Sequence, residues 1–152
     1  MKKLVTVIVS ILLLFAICGC SGEKEIKKNE TLLKYYEESE EYFDYDSTFF
    51  DFRLPLYWKG KYVVDVFSDH EDFYEKSSFD ENGTGLVFSI YAYDDKSYKK
   101  DFDNYRYLDY HDDLQKHYIL VYPDKEEYIE SSKEIYNNLK DSISVVLYTF
   151  DA

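Results

Sequence analysis

Leu86-Val87-Phe88-Ser89-Ile90-Tyr91-Ala92-Tyr93 is the stretch that decides the fold. In an extended chain Leu86, Phe88, Ile90 and Ala92 project to one side and Val87, Tyr91 and Tyr93 to the other, so this strand is apolar on both faces. Such a strand belongs at the centre of a sheet, with cover on each side. It follows Asn82-Gly83, a step that supplies the positive φ angles of a hairpin turn, and a less regular strand over residues 72–77 precedes that turn.

Working outward, Thr48, Phe50, Phe52 and Leu54 alternate with Phe49, Asp51 and Arg53, which predicts a half-buried strand stopped by Pro55. Gly60 permits a tight return into a second strand over residues 61–68. Downstream, residues 94–104 read as a charged loop or a single helical turn. Residues 105–110 and 117–122 then flank His111-Asp112-Asp113 as a hairpin that Pro123 ends. Asp124 and Glu127 resemble a capping box, and Tyr128, Ser132, Ile135, Tyr136, Leu139 and Ile143 share one face of a helix. Residues 144–150 read as a last strand. The fold class is therefore α+β: a mainly antiparallel sheet of about five to six strands covered by a C-terminal amphipathic helix. It forms a single domain over residues 47–152.

The chain has 152 residues, 18 basic against 31 acidic, for a net charge of −13. A field of that sign repels nucleic-acid phosphates and excludes a nucleic-acid partner. At 152 residues there is room for one core and not for a multidomain enzyme. The two cysteines, Cys18 and Cys20, are too close together to staple a fold, so stability must come from burial. Aromatic residues make up 20% of the chain, with 18 Tyr and 11 Phe, and this is its main compositional anomaly. Tyrosine offers an apolar face with a polar tip, the combination found at binding surfaces.

Lys2 and Lys3 precede an apolar run over residues 4–17, the outline of an export signal. At 14 residues the run is shorter than the roughly 18 to 20 that span a bilayer. It ends in Ile17-Cys18-Gly19-Cys20-Ser21, which resembles the lipobox of bacterial lipoproteins. The resemblance implies cleavage between Gly19 and Cys20 and lipidation of the Cys20 thiol, so that residues 1–19 are a signal peptide. It places the protein on the outer, extracytoplasmic face of the cell membrane, held by acyl chains on Cys20. Two or three chains at about 0.8 kcal/mol per buried CH₂ give stable attachment. Removing Lys2 and Lys3 leaves 16 basic residues against 31 acidic ones, a net of −15 on the mature chain.

Residues 20–46 read as a polar tether, basic at its start (Lys24, Lys27, Lys28) and acidic further on. Leu32, Leu33, Tyr35, Tyr36, Tyr42 and Phe43 within it have rough helical spacing, with Asn29 or Thr31 as caps, so the tether is either a short helix or coil. From Leu54-Pro55-Leu56-Tyr57-Trp58-Lys59-Gly60-Lys61-Tyr62-Val63-Val64 onward the chain resembles a family of small, uncharacterised lipoproteins of Firmicutes marked by an LPxxWKGKYVV-like segment. Gly85-Leu86-Val87-Phe88-Ser89-Ile90 and Ile119-Leu120-Val121-Tyr122-Pro123 are similar to further strands of that family. These are packing and turn residues, so the resemblance implies an envelope location and a fold, with a PsbP-like sandwich as one architecture, and transfers no catalytic residue.

The motifs of chemistry are weak. Asp109, His111 and Asp113 share a strand face but coincide with the expected hairpin tip, and His70-Glu71-Asp72 lacks the second histidine of a zinc-protease helix. Asp101, Asp103 and Asn104 lack the glycine and closing glutamate of a calcium loop. Gly83-Thr84-Gly85 is a turn rather than a phosphate loop, and there is no GxSxG elbow. No catalytic residue, metal or cofactor is assigned. The expectation is a non-enzymatic module that binds a protein or peptide, the alternative a small-ligand or glycan-binding lipoprotein. Tyr57 and Trp58, in the turn after Pro55, are the candidate contacts, set against a reading in which Trp58 plugs the core.

Overall fold

The computed structural model describes residues 28–152; Cys18, Gly19 and Cys20 lie outside them. The chain forms seven strands and five α-helices in an α+β arrangement over the described residues. Helix α1 (Glu30–Glu38) leads into a hairpin of β1 (Tyr42–Asp46) and β2 (Asp51–Pro55), and a 3₁₀ turn at Leu56–Trp58 follows. Then come β3 (Tyr62–Val66), β4 (His70–Glu75), α2 (Lys76–Asn82), β5 (Leu86–Tyr93), α3 (Tyr98–Asp101), β6 (Tyr105–His111) and β7 (Lys116–Val121). Helices α4 (Lys133–Asp141) and α5 (Ile143–Thr149) complete the order. The main sheet runs β3-β4-β5-β7-β6, antiparallel throughout, with β5 at its centre as its two apolar faces require.

The period-2 rule separates two apolar clusters, one on each face. Tyr118 and Leu120 of β7 enter the main core with Phe73, Phe88 and Ile90, while Ile119 and Val121 face the other way with Tyr98 and Tyr105. A bulge opposite Phe73/Tyr74 lets Val87 as well as Phe88 join the main core. That core is closed by α4, α5 and the β1–β2 hairpin. Trp58 is fully buried in it, donating from Nε1 to Ser142 Oγ at 2.7 Å, and Tyr136 Oη donates to the Leu86 carbonyl at 2.8 Å.

Four local expectations are corrected. Asn82-Gly83 closes a helix, not a hairpin: Gly83 is a left-handed C-cap at φ 74°. The same positive φ serves a hairpin turn and a helix stop, so the dipeptide alone does not separate them. The residue that starts α2 is Glu75, whose carboxylate accepts from Ser77 N, Ser78 N and Ser78 Oγ at 2.9, 2.8 and 2.6 Å. Residues 144–150 are helix rather than strand, because Ile143 and Val146 reach the core with Phe150 at helical spacing. Helix α4 starts at Lys133, later than the Asp124/Glu127 cap predicted, and Ser142 breaks it from α5 by donating its hydroxyl to the Leu139 carbonyl at 2.7 Å.

The fourth correction concerns the tether. Residues 42–46 are not spacer but strand β1, and α1 is fastened to the body. Asn29 caps α1 through bonds from Thr31 N and Leu32 N at 3.0 and 3.2 Å. Arg53 on β2 donates to the carbonyls of Tyr36, Glu37 and Tyr42, and pairs with Asp44 at 2.9 Å. A guanidinium satisfying the last free carbonyls of a helix holds that helix in place.

Gly85 leads into β5 at φ 93°, and a Cβ there would lie 2.8 Å from Ser78 Cβ and 3.0 Å from the Glu75 carbonyl oxygen. Gly85→Ala is expected to cost about 2 kcal/mol of stability, read by urea unfolding. Burial alone would raise the Glu75 carboxyl, but bonds from Ser78, the Ser77 and Ser78 backbone amides and Ser132 outweigh it and hold its pKa below the ordinary 4.5. A lowered carboxyl stabilises the fold fully above its unfolded pKa and loses that contribution as pH falls through the folded one. Glu75→Gln therefore flattens the acid limb of the stability curve below about pH 4.5.

Candidate functional site

Of the two candidate contacts, Trp58 is buried and Tyr57 is partly exposed. Trp58 is at 0% exposure, so the reading in which it plugs the core holds. Tyr57 is half-buried: its hydroxyl donates to the Ile135 carbonyl at 2.9 Å and Lys61 Nζ lies 3.7 Å from its ring centroid. The 3₁₀ turn after Pro55 points both rings at α4 and α5, which fixes these helices instead of addressing solvent.

The histidines fall elsewhere than at a metal centre. His111 Nδ1 accepts from Leu114 N at 3.2 Å and caps the β6–β7 turn. Glu71 turns inward, accepting from Tyr45 Oη at 2.7 Å and Ser47 Oγ at 2.6 Å, and burial followed by this bond raises the Tyr45 hydroxyl pKa. Asp101 accepts from Tyr93 Oη at 3.2 Å. Among the described residues no group of three or more His, Cys, Asp or Glu is placed to hold a metal ion. A surface recess of about 350 Å³ beside α1 is lined by Arg53, Asp44, Asp51 and Lys28; Arg53 pairs with Asp44 and Lys28 donates to the Phe150 carbonyl.

What the structure brings together is an aromatic ribbon across the sheet face opposite the main core. Phe67 stacks on His70 at 4.4 Å between centroids, His70 on Tyr91 at 4.4 Å, and Tyr91 meets Phe102 at 4.8 Å. The ribbon continues through Tyr93 and Tyr98, which are 5.8 Å apart, to His117, against which Tyr110 lies at 4.6 Å. His70 Nδ1 is 2.9 Å from Asp69 Oδ1, which orients the imidazole so that its flat faces meet the two rings. Burial and then the Asp72 charge raise the Tyr91 hydroxyl pKa, keeping it neutral within the stack.

The ribbon surfaces at one end of the sheet. Phe67, 46% exposed, and Val66, 64% exposed, form the tip of the β3–β4 turn. Phe49, 51% exposed, sits in the β1–β2 turn, which the Ser47–Glu71 bond holds against the same end. The β6–β7 turn, with Leu114 exposed, projects from this end too, since His70 pairs with Tyr91 and His117 with Tyr93. The sequence signal that could have found this tip is Val66-Phe67 directly before Ser68-Asp69: large apolar residues at a turn cannot all point inward.

No protein-family model, no curated protein and no solved structure matches the chain. The PsbP-like sandwich draws no support from those comparisons. No helix among the described residues is long and apolar enough to cross a membrane.

Core and tip are separable by mutation. Trp58→Ala is expected to cost about 3 to 5 kcal/mol, as a large void in the core does, whereas Phe67→Ala costs about 1 kcal/mol, the worth of one partly exposed stack. Urea unfolding of the two variants measures both.

Proposed function

We propose that the chain is an extracytoplasmic lipoprotein, anchored through Cys20, whose apolar sheet end binds a protein or peptide partner without catalysing a reaction. The observation that carries the binding half is the exposure of Phe49, Val66 and Phe67, in or beside turns at one end of the sheet, on a domain otherwise rich in charge. Large apolar side chains ringed by polar residues are what protein interfaces place at their centres. Phe67 is braced from behind by His70 and Tyr91, so little side-chain freedom is lost when a partner covers it. The location half rests on Ile17-Cys18-Gly19-Cys20 and on the Firmicute lipoprotein resemblance of the LPxxWKGKYVV-like segment. A sugar would need open aromatic faces; the rings of this ribbon are stacked on each other, which favours a protein over a glycan.

Two measurements test this reading. Cys20→Ala is expected to shift the chain from the membrane fraction to the medium, and retention in the membrane overturns lipid anchoring at that residue. A photoreactive phenylalanine analogue placed at Phe67 or at Phe49 is expected to yield an adduct of one common mass on intact cells. The same probe at Leu56, exposed at the other end of the sheet, is expected to yield none. Equal labelling at all three positions, or none at any, refutes binding at this end.

A further inference from the structure

The main sheet has two edges, β3 and β6, and of the two only β6 carries a bulge. Natural edge strands are blunted by bulges, lysines, prolines or covering elements, because free N–H and C=O groups template pairing with another chain. Edge β6 carries a bulge between Tyr107 and Asp109 and the charge of Arg106. Edge β3 is Tyr62-Val63-Val64-Asp65-Val66, with no proline, no lysine and an unbulged ladder to β4.

The direction of its free groups follows from the register. Lys76 N donates to the Lys61 carbonyl and Phe67 N to the His70 carbonyl, both at 2.9 Å, so the pairs at the two ends of the ladder are hydrogen-bonded pairs. Counting in twos between them, Val63 and Asp65 address β4, while the N–H and C=O groups of Tyr62, Val64 and Val66 point away from it. Those outward groups bond to no described residue.

We propose that β3 accepts an added antiparallel strand from a protein partner, and that the added segment is extended and carries lysine or arginine at alternate positions. This deepens the binding reading above and rests on it. The charge requirement comes from the face beside the edge. Asp65 lies directly across from Asp72, a like-charge pair that destabilises a sheet, and Asp72 Oδ1 is buried without a hydrogen-bond donor among the described residues. A cationic side chain on an added strand, opposite Asp65 and on the same face, relieves that pair. The alternate side chains of the added strand fall on the other face, beside Tyr62, Val64 and Val66. A second copy of this chain suits the edge poorly, since it brings another −15 and places no cation opposite Asp65 within strand β3 itself.

The test uses the full chain purified in detergent and the synthetic peptide acetyl-Val-Lys-Val-Lys-Val-Lys-amide. Its controls are the same peptide N-methylated at alternate residues and a version with glutamate for lysine. Binding is expected to slow amide exchange at Tyr62, Val64 and Val66 at least about tenfold, with neither control doing so. Val66→Pro removes an outward N–H and leaves the β4 ladder intact, and it is expected to weaken the peptide at least about tenfold. Asp65→Lys is expected to do the same, with unchanged circular dichroism showing that both variants fold. Protection elsewhere than β3, equal binding of the N-methylated peptide, or self-association through β3 in sedimentation overturns the proposal. Adducts at Phe67 that persist in Val66→Pro overturn strand addition while leaving partner binding intact. Absence of adducts in the parent chain fails the binding reading itself.

Discussion

A central strand that must be dry on both faces is the constraint from which the rest of this structure follows. β5 buries Val87, Phe88, Ser89 and Ile90 in succession, so neither side of the sheet can be left to water. One side is closed by α4, α5 and the β1–β2 hairpin over Phe73, Phe88 and Leu120. On the other side, among the described residues, the single turn α3 sits with its Tyr98 buried. The deficit of cover is made up by side chains. Tyr91, Tyr93, Phe102 and Tyr107 pack against the cluster of Tyr98, Tyr105, Ile119 and Val121 and shield it. The high aromatic content is thus a structural answer to a thin second layer, and the exposed ring of Phe67 is where that answer reaches solvent.

Tyrosine rather than phenylalanine dominates this cover because its outer end must live beside carboxylates. Tyr74 donates to Asp72 and Tyr93 to Asp101, and in both the hydroxyl pKa is pushed up to about 12 by burial first and the neighbouring acid second. A neutral phenol donating to a carboxylate lets a strongly acidic chain keep its charges next to an apolar face. The same logic operates inside the core at Glu71, where Tyr45 and Ser47 satisfy an acid that faces inward.

How far the sequence could be read depended on whether a segment offered one period or two. The alternation in residues 86–93 and across 105–122 has a single interpretation, and both the central strand and its neighbouring hairpin are where the periodicity puts them. The segment Ile143–Thr149 is short, β-branched and apolar almost throughout, a composition that suits a strand or a buried helix equally, and only its tertiary role over β2 decides. Asn82-Gly83 states a positive φ without saying what precedes it. The site was harder still. Tyr57 and Trp58 stood out as large rings in a turn, yet Ser142, 84 positions away, supplies the partner that turns Trp58 inward. Val66 and Phe67 looked like the end of an ordinary strand, because exposure is a property of where the turn falls.

The fastening of α1 changes what a lipid on Cys20 would imply. A spacer running to residue 46 would let the domain roam far from the bilayer, but Lys28 is already fastened to the body, its Nζ donating to the Phe150 carbonyl at 2.6 Å. Phe150 adjoins Asp151, which pairs with Asp51 at the foot of the β1–β2 turn, so the chain enters the body beside the turn that carries Phe49. Seven residues lie between Cys20 and Lys28, eight Cα-to-Cα steps that span at most about 29 Å. A lipid at Cys20 would therefore hold the apolar end of the sheet near the membrane surface, while Asp46 and Asp65 at or near the strand ends and Asp69 in the β3–β4 turn would resist contact with anionic headgroups. On the proposed reading, an apolar tip held close to a surface that its own charge repels would suit a partner standing at that surface, and a basic segment would meet the acidic rim and the open strand edge together.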